Sequence, residues 1–383
     1  MRRTIELLVD EGHDVVIAAP QPRSTLEHRG WEGVRRIVIG PARRSSADPR
    51  RAFGWGVRRA VFWFLLAVVA RRQSEEAWWS LGKQSERLFG LAALHAELER
   101  GADLVVVEDL LLLPAILSRR APVDVLLDLR DDRTVQFSHI PFWRGIVGIA
   151  FEGLLDWAGP QCRSVITVSE GLRTRFEVMT KRPVDVVRSI PDVDAGRAVL
   201  ARLTSSPIRM VHHGRVGLSR KLHRLIEVAQ QLGPEFSLDL YLVGSRFQKA
   251  RLRHMCRKSE NVRIMPPVDF EDIHAMLEDY DIGVMLFEPF NENLRNILPN
   301  KFFEFINAGL AVASGPSPEI ERIVEEFGCG VISEDFSVES MVHVLSGLTP
   351  KAVDAYRERS LIAASALSWI DEREKLRRLL GSA

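Results

Sequence analysis

The sequence predicts an α/β chain with two parallel sheets covered by helices. Short apolar runs bounded by turn residues alternate along it with amphipathic stretches of helical period, a pattern that parallel sheets require. Its 383 residues suffice for two hydrophobic cores, and 46% hydrophobic with 27% charged residues is ordinary globular composition.

The elements follow in order. Residues 15–19, 34–39, 104–107, 123–128 and 164–168 read as strands of the first half, most of them separated by helical patterns. Residues 209–213, 238–243, 261–265, 282–286 and 310–313 read as strands of the second. Between them, residues 191–206 contain Pro, Asp and Ser with weak periodicity and suit a connection. A last helix is expected over 353–380. The opening, RRTIELLVDEGHDVVIAAP, reads as a helix ended by Gly12 and then a strand. A Rossmann-like half should instead begin with a strand and a Gly-rich turn. A sheet without that central strand would expose two edges, so the expectation is that the first strand is missing from this sequence.

Composition excludes some functions. The formal net charge of +1 gives no global pull toward nucleic acid, and none is expected as a partner. Cys162, Cys256 and Cys329 are scattered without CxxC spacing, which fits free thiols in a reducing compartment. No secretory signal peptide opens the sequence, so a cytoplasmic location is expected.

The most informative segment is 298–315, LPNKFFEFINAGLAVASG. Pro299 fits the first position of a helix, with Asn300 and Lys301 in its first turn. Phe302, Phe303, Phe305 and Ile306 supply an apolar face, Gly309 ends the helix, and a buried strand follows. The free N–H groups at a helix start can hold a phosphate, and Glu304, one turn further in, can accept hydrogen bonds from sugar hydroxyls. The alternative is an ordinary helix with Glu304 solvated. Upstream, Gly214 and Arg215 close a strand, and Arg220 and Lys221 open a helix. These are either solvated surface cations or a cradle for an anion.

Other segments join this one in a family pattern. They are VHHGRVGLSRKLHRLIEVA (211–229), VGS (243–245), NVRIMPPVDFEDIHAML (261–277), YDIGVMLF (280–287), SPEIERIVEEFGCGV and the closing LSWIDEREKLRRLL. In this order they resemble glycosyltransferase family 4, nearly throughout from Ile208 onward and in a more broken way before it. The resemblance implies a GT-B fold, two Rossmann-like domains facing a central cleft. Residues 1–195 would form an acceptor domain with a helical insertion and 196–360 a nucleotide-sugar domain, with 361–383 crossing back as a helix. It implies transfer of a sugar from a nucleotide-sugar donor to a glycan or a polyprenyl or other lipid-linked acceptor, with retention, in cell-surface polysaccharide or glycolipid synthesis. No metal and no cofactor are implied, since the nucleotide sugar is a substrate.

Residue by residue, the resemblance implies that Arg215 and either Arg220 or Lys221 clamp the diphosphate beside Gly214, Asn300 and Lys301. Glu304 would hold the ribose, and backbone near Pro267 and Val268 would face the base. The family commonly carries two glutamates with seven residues between them, and Asn296 stands at the first position here. Its amide can hydrogen-bond a sugar hydroxyl but carries no charge. A non-catalytic GT-B protein that binds a nucleotide sugar or a partner enzyme therefore stays open, as does a nucleotide-sugar epimerase.

In the first half, DLRDDRTVQF (128–137) follows a buried strand. Many family members have a His or Arg followed by an acid here, which implies Arg130 and Asp131 near the acceptor and the transferred sugar. An Asp-rich turn is the plain alternative, and a divalent-metal site ranks third. Ser169 in VITVSEGL suits a helix N-cap, as no Gly-x-Ser-x-Gly surrounds it. His212 and His213 adjoin on a strand and should point to opposite faces.

The run AVFWFLLAVVA (60–70) is apolar all round. As a helix it would be about 16 Å long against a bilayer core of about 30 Å, so it cannot span. Bracketed by Arg58, Arg59, Arg71 and Arg72, it can lie at an anionic surface such as the inner face of the plasma membrane, with Trp55, Trp63, Trp78 and Trp79 at headgroup level. The alternative is a helix buried in the first domain.

Overall fold

The computed structural model describes residues 2–19, 34–38, 64–71, 74–89, 91–118, 123–192, 202–217, 220–257 and 259–381. The chain divides into two compact units, Met1–Val187 with Arg373–Ala383, and Arg188–Glu372. The division therefore falls before the expected 195/196 boundary, and the returning segment begins at Arg373 rather than at 361.

In the first unit, β1 (Val16–Ala19) and β2 (Arg35–Val38) pair in parallel. A second parallel sheet runs in chain order through β3 (Leu104–Val107), β4 (Asp124–Leu129), β5 (Ser164–Thr167) and β6 (Asp185–Val186). No strand pairing joins the two sheets among the described residues. Val125, Leu126, Leu127 and Leu129 of β4 are buried, as a strand covered on both faces demands. Ser169 caps the helix Glu170–Thr180 as expected, its hydroxyl accepting from the Leu172 N–H at 3.4 Å. The expected last helix is two, Pro350–Ala366 and Trp369–Leu380, because Leu367 leaves helical geometry at φ −109° and ψ 65°. From the second of these, Arg373 reaches Asp10 at 3.1 Å and Arg377 bonds Glu11.

The apolar run 60–70 is corrected in part. Over 64–70 it is helical with Leu66, Ala67 and Ala70 buried, and a side chain on Gly153 would collide with Ala70. That stretch packs into the first unit. Phe64 stays 59% exposed, and Arg71 is exposed. Trp78 does not suit a headgroup layer either, being fully buried and stacked on Trp157 at 4.7 Å, whereas Trp79 is exposed beneath the Lys83 ammonium. Arg58, Arg59, Arg72, Trp55 and Trp63 lie outside the described residues. Among the described residues no helix is long and apolar enough to cross a membrane.

The second unit holds one six-stranded parallel sheet of β7 (Ile208–Arg215), β8 (Phe236–Val243), β9 (Val262–Met265), β10 (Ile282–Met285), β11 (Ala311–Ser314) and β12 (Gly330–Ile332). Its spatial order is β12-β11-β10-β7-β8-β9. The chain winds outward from β7 through β8 to β9, then returns to the other side of β7 and winds outward again. This is the doubly wound order, and its reversal between β7 and β10 opens a crevice at the carboxyl ends of the strands, where such sheets bind ligands. Residues of β7 alternate between two apolar layers, Ile208 and Met210 toward one and Val211 toward the other. β6 and β12 were not legible in the sequence, because two and three residues are too few to show a period.

At the amino ends of the strands, just before β10, fully buried Asp281 ties several elements together. Its carboxylate accepts from Arg202 at 2.6 Å, from the Arg209 backbone N–H at 2.7 Å and from Thr204 at 3.3 Å, with Arg357 at 3.7 Å. Arg357, itself buried, also donates to the carbonyls of Gly309 and Arg202 at 3.1 and 3.0 Å.

Candidate functional site

The site is built at the carboxyl ends of β7 and β10. Strand alternation sends His212 and His213 to opposite faces, as the sequence implied. His212 is buried with Nδ1 2.8 Å from the Val284 carbonyl oxygen, and burial together with the charges of Lys301 and Arg220 holds its pKa well below the usual value. The ring is therefore neutral, with Nδ1–H donating to that carbonyl. His213 packs edge-on to Phe305 at 5.5 Å, and its Nε2 lies 3.1 Å from Glu304 Oε2 without hydrogen-bond alignment.

The helix Asn300–Asn307 forms the wall facing His213. Pro299 is its N-cap rather than the expected first helical residue, at φ −73° and ψ 142°. The Phe302 N–H bonds the Pro299 carbonyl at 3.0 Å, and no side chain caps the helix, which leaves the Asn300 and Lys301 N–H groups for a ligand. Phe302, Phe303, Phe305 and Ile306 are fully buried and fix the helix on the sheet. Lys301 turns inward with them. Its ammonium donates to the His213 carbonyl at 2.9 Å, and a Cβ on Gly214 would come within 3.1 Å of Nζ. Gly214 also sits at φ 129°, where an L side chain is strained, so glycine is what lets the lysine reach the strand end.

Burial first, and then the charge of Arg220, pushes the Lys301 ammonium down to about 7. An anion bound beside it favours the protonated form. Affinity for a nucleoside diphosphate should therefore fall as pH rises through about 7, and Lys301→Met should flatten that dependence. Titration calorimetry across pH tests this; a wild-type affinity that ignores pH there would place Nζ outside the anion site.

Two cations flank Phe287, and a third lies close to one of them. Arg220 Cζ and Lys301 Nζ each lie 5.9 Å from its ring centroid, and Arg215 is close enough to Arg220 to lower the Arg220 pKa, although burial lowers it more. Among the described residues neither Arg215 nor Arg220 has a carboxylate within ion-pair distance. Lys221 behaves differently. At φ 45° it turns to Glu288 at 2.7 Å, a carboxylate that Arg224 shares at 3.2 Å. Of the two cations that the sequence left open, Arg220 joins the cluster and Lys221 braces the loop after β10. Asn296 ends the short helix Glu292–Asn296, its amide donating to the Glu292 carbonyl at 2.8 Å. Pro267 and Val268 follow β9, the edge strand, at the carboxyl end of the same parallel sheet.

In the first unit the charged loop after β4 is held by ion pairs and turn hydrogen bonds. Arg130 Nε and Nη2 both donate to Asp128 Oδ2 at 2.9 Å, and Nη2 lies 3.2 Å from Glu108 Oε1. Burial pushes the Glu108 carboxyl up to about 7; it raises that of Asp128 as well, with Glu108 adding to the effect. Asp131 is exposed, whereas neighbouring Asp132 is buried. Asp132 accepts from the Thr134 N–H at 2.9 Å and from Arg175 at 2.8 and 2.6 Å, which shapes the loop. Sequence reasoning missed Glu108. The signal was the strand register, since Val107 pairs with Leu127 and so sets Glu108 beside Asp128. Among the described residues no group of three or more His, Cys, Asp or Glu is placed to hold a metal ion.

No protein-family model and no curated protein matches the sequence. Solved structures match the fold. A glycosyltransferase from Rickettsia africae ESF-5 is 14% identical and aligns over 100% of this chain and 95% of its own, with a TM-score of 0.65. Sucrose-phosphate synthase from Thermosynechococcus elongatus is also 14% identical over 100% of this chain and 93% of its own, at 0.66. TarM aligns over 73% of this chain at 14% identity and 0.59, and the chain spans 55% of TarM's length. A structure of S. aureus TarM holds UDP and α-GlcNAc-glycerol. At these identities the likeness speaks for architecture alone, and it agrees with the doubly wound second unit and the parallel α/β first unit. The protein has the GT-B fold of nucleotide-sugar glycosyltransferases.

Proposed function

We propose that the protein transfers a sugar from a nucleotide-sugar donor to a glycan or lipid-linked acceptor, with retention, in cell-surface polysaccharide or glycolipid synthesis on the cytoplasmic side. One observation carries this reading. Arg220 and Lys301 meet at the uncapped start of the helix Asn300–Asn307, with Arg215 close to Arg220, beside a strand-end glycine and at the reversal point of a doubly wound sheet. A departing diphosphate gains negative charge as its bond to the sugar breaks, and fixed cations and N–H groups stabilise that charge more than the ground state. Three such cations also give the transfer a metal-independent way to neutralise the leaving group.

Within this site Glu304 accepts from two ribose hydroxyls, with the His213 ring 3.1 Å from its carboxylate. Pro267 and Val268 face the base, and the Asn296 amide reaches a sugar hydroxyl. Arg130, held by Asp128 and Glu108, serves the acceptor and the transferred sugar, with Asp131 exposed at the same loop. Lys221 acts on the diphosphate only through the loop that it fixes with Glu288.

The test is calorimetric binding against a panel of nucleotide sugars, UDP-sugars first because TarM holds UDP, followed by mass analysis of acceptor products. Donor binding without any product would assign a non-catalytic role, and an altered nucleotide sugar without acceptor would assign epimerisation. Failure to bind every donor would sink the proposal. Glu304→Ala should raise the donor dissociation constant roughly tenfold to a hundredfold, the loss of hydrogen bonds to a charged group. In that variant a donor lacking ribose hydroxyls should show little further loss. If the two losses simply add, Glu304 is not the ribose ligand.

A further inference from the structure

We propose that the helix Arg246–Cys256 is a contact for an anionic lipid surface, with Arg246, Lys249, Arg253 and Arg257 on the headgroup phosphates and Phe247 in the layer beneath them. The helix, RFQKARLRHMC, contains Arg246, Lys249, Arg251 and Arg253 and no acid, and Arg257 stands at its C-cap. Leu252 is buried, and Met255 and Cys256 pack against the same core layer, which fixes the inward side. On a helical period Arg246, Lys249, Arg253 and Arg257 then fall in one outward stripe about 16 Å long, with Phe247, Arg251 and His254 beside it.

Two features separate this stripe from an ordinary solvated face. Cations elsewhere in the unit are commonly paired, as Arg263 is with Asp239 at 2.7 Å and Arg322 with Glu319 at 3.3 Å. Among the described residues none of Arg246, Lys249, Arg251, Arg253 and Arg257 has a carboxylate within ion-pair distance. Phe247, in their midst, is 81% exposed, the most exposed large apolar side chain among the described residues, and Val243 just before the helix is 50% exposed. Phenylalanine has no polar group to repay its hydration, so it gains only by leaving water.

A membrane meets both features at once, with anionic headgroups for the stripe and an acyl boundary for the ring. A nucleic-acid strand would meet the charge, and a base could stack on Phe247. Single-strand binders, however, track the backbone in a groove, and this stripe is the convex side of one helix. The inference is independent of the transfer reading. It also moves the membrane contact away from 60–70, where Leu66, Ala67 and Ala70 are buried in the first unit.

The test is sedimentation of the full chain with phosphatidylcholine vesicles, with and without phosphatidylserine. Binding should require phosphatidylserine and weaken with salt. Replacing Arg246, Lys249, Arg253 and Arg257 together by Ser should weaken it on the order of a thousandfold. Phe247→Ser should cost roughly tenfold while preserving the salt dependence. Arg246→Lys, Arg253→Lys and Arg257→Lys together keep the charge and should keep the binding, which controls for loss of fold in the Ser variant. Equal sedimentation with phosphatidylcholine alone, binding indifferent to salt, or a Ser variant that binds like the parent would each overturn the proposal. So would tighter binding to a single-stranded oligonucleotide than to the anionic vesicles, which would assign the stripe to nucleic acid.

Discussion

Replacing Arg220 by Ala should lower transfer about a hundredfold or more while weakening nucleoside-monophosphate binding far less. The guanidinium is partly buried beside Arg215 and lies over Phe287 with Lys301, and no carboxylate neutralises it among the described residues. Its field is therefore available to charge that develops on a leaving diphosphate, and removing one preorganised donor of this kind typically costs 10² to 10³ in turnover. Arg215→Ala should act in the same direction but less, because Arg215 is exposed and water screens it. The two share one target, so the double variant should lose less than the product of the single losses. Lys221→Ala supplies the contrast. Its charge is already met by Glu288 at 2.7 Å, so turnover should change much less than with Arg220→Ala. Equal turnover losses for Arg220→Ala and Lys221→Ala would refute the assignment of the clamp to Arg220.

Asp281→Ala should destabilise the second unit by about 3–5 kcal/mol, the range seen when one partner of a buried ion pair is removed. Asp281 has no exposed surface, and its loss strips the charge partner from Arg202 and leaves the Arg209 backbone N–H unsatisfied. Arg357, 2% exposed, would keep Asp354 at 3.3 Å but lose the Asp281 carboxylate 3.7 Å away. Asp281→Asn can still accept a hydrogen bond and should fall between wild type and Ala. The measurement is urea unfolding, read as a lower midpoint at unchanged slope. A shift of under about 1 kcal/mol would mean that water or rearranged side chains satisfy the arginines, and the network would be incidental.

Much of the fold was legible because strands and helices write their periods into neighbouring residues. The run from Ile282 reads as a strand buried on both faces, and Phe302, Phe303, Phe305 and Ile306 mark the buried side of a helix, whatever lies around them. The Gly-Arg strand end and Glu304 stood out only through the resemblance to glycosyltransferase family 4, since period alone left them as possible solvated groups. The two shortest strands, the break at Leu367 and the burial of Trp78 were not legible, since each depends on what packs against it rather than on local period.

The sequence by itself determined the α/β class, the positions of most elements and the helix that carries Lys301 and Glu304. Only the tertiary structure decided what those side chains do. Lys301 meets the His213 carbonyl 88 residues away, and Lys221 is drawn from the cluster by Glu288, 67 residues away. Glu108 meets Arg130 because β3 and β4 are neighbours in register. Strand order sets all three encounters, and strand order arises from crossover connections that bring distant residues to one sheet edge. A local pattern can show that a residue is charged and on a helix, but the charge acts on whatever that topology places beside it.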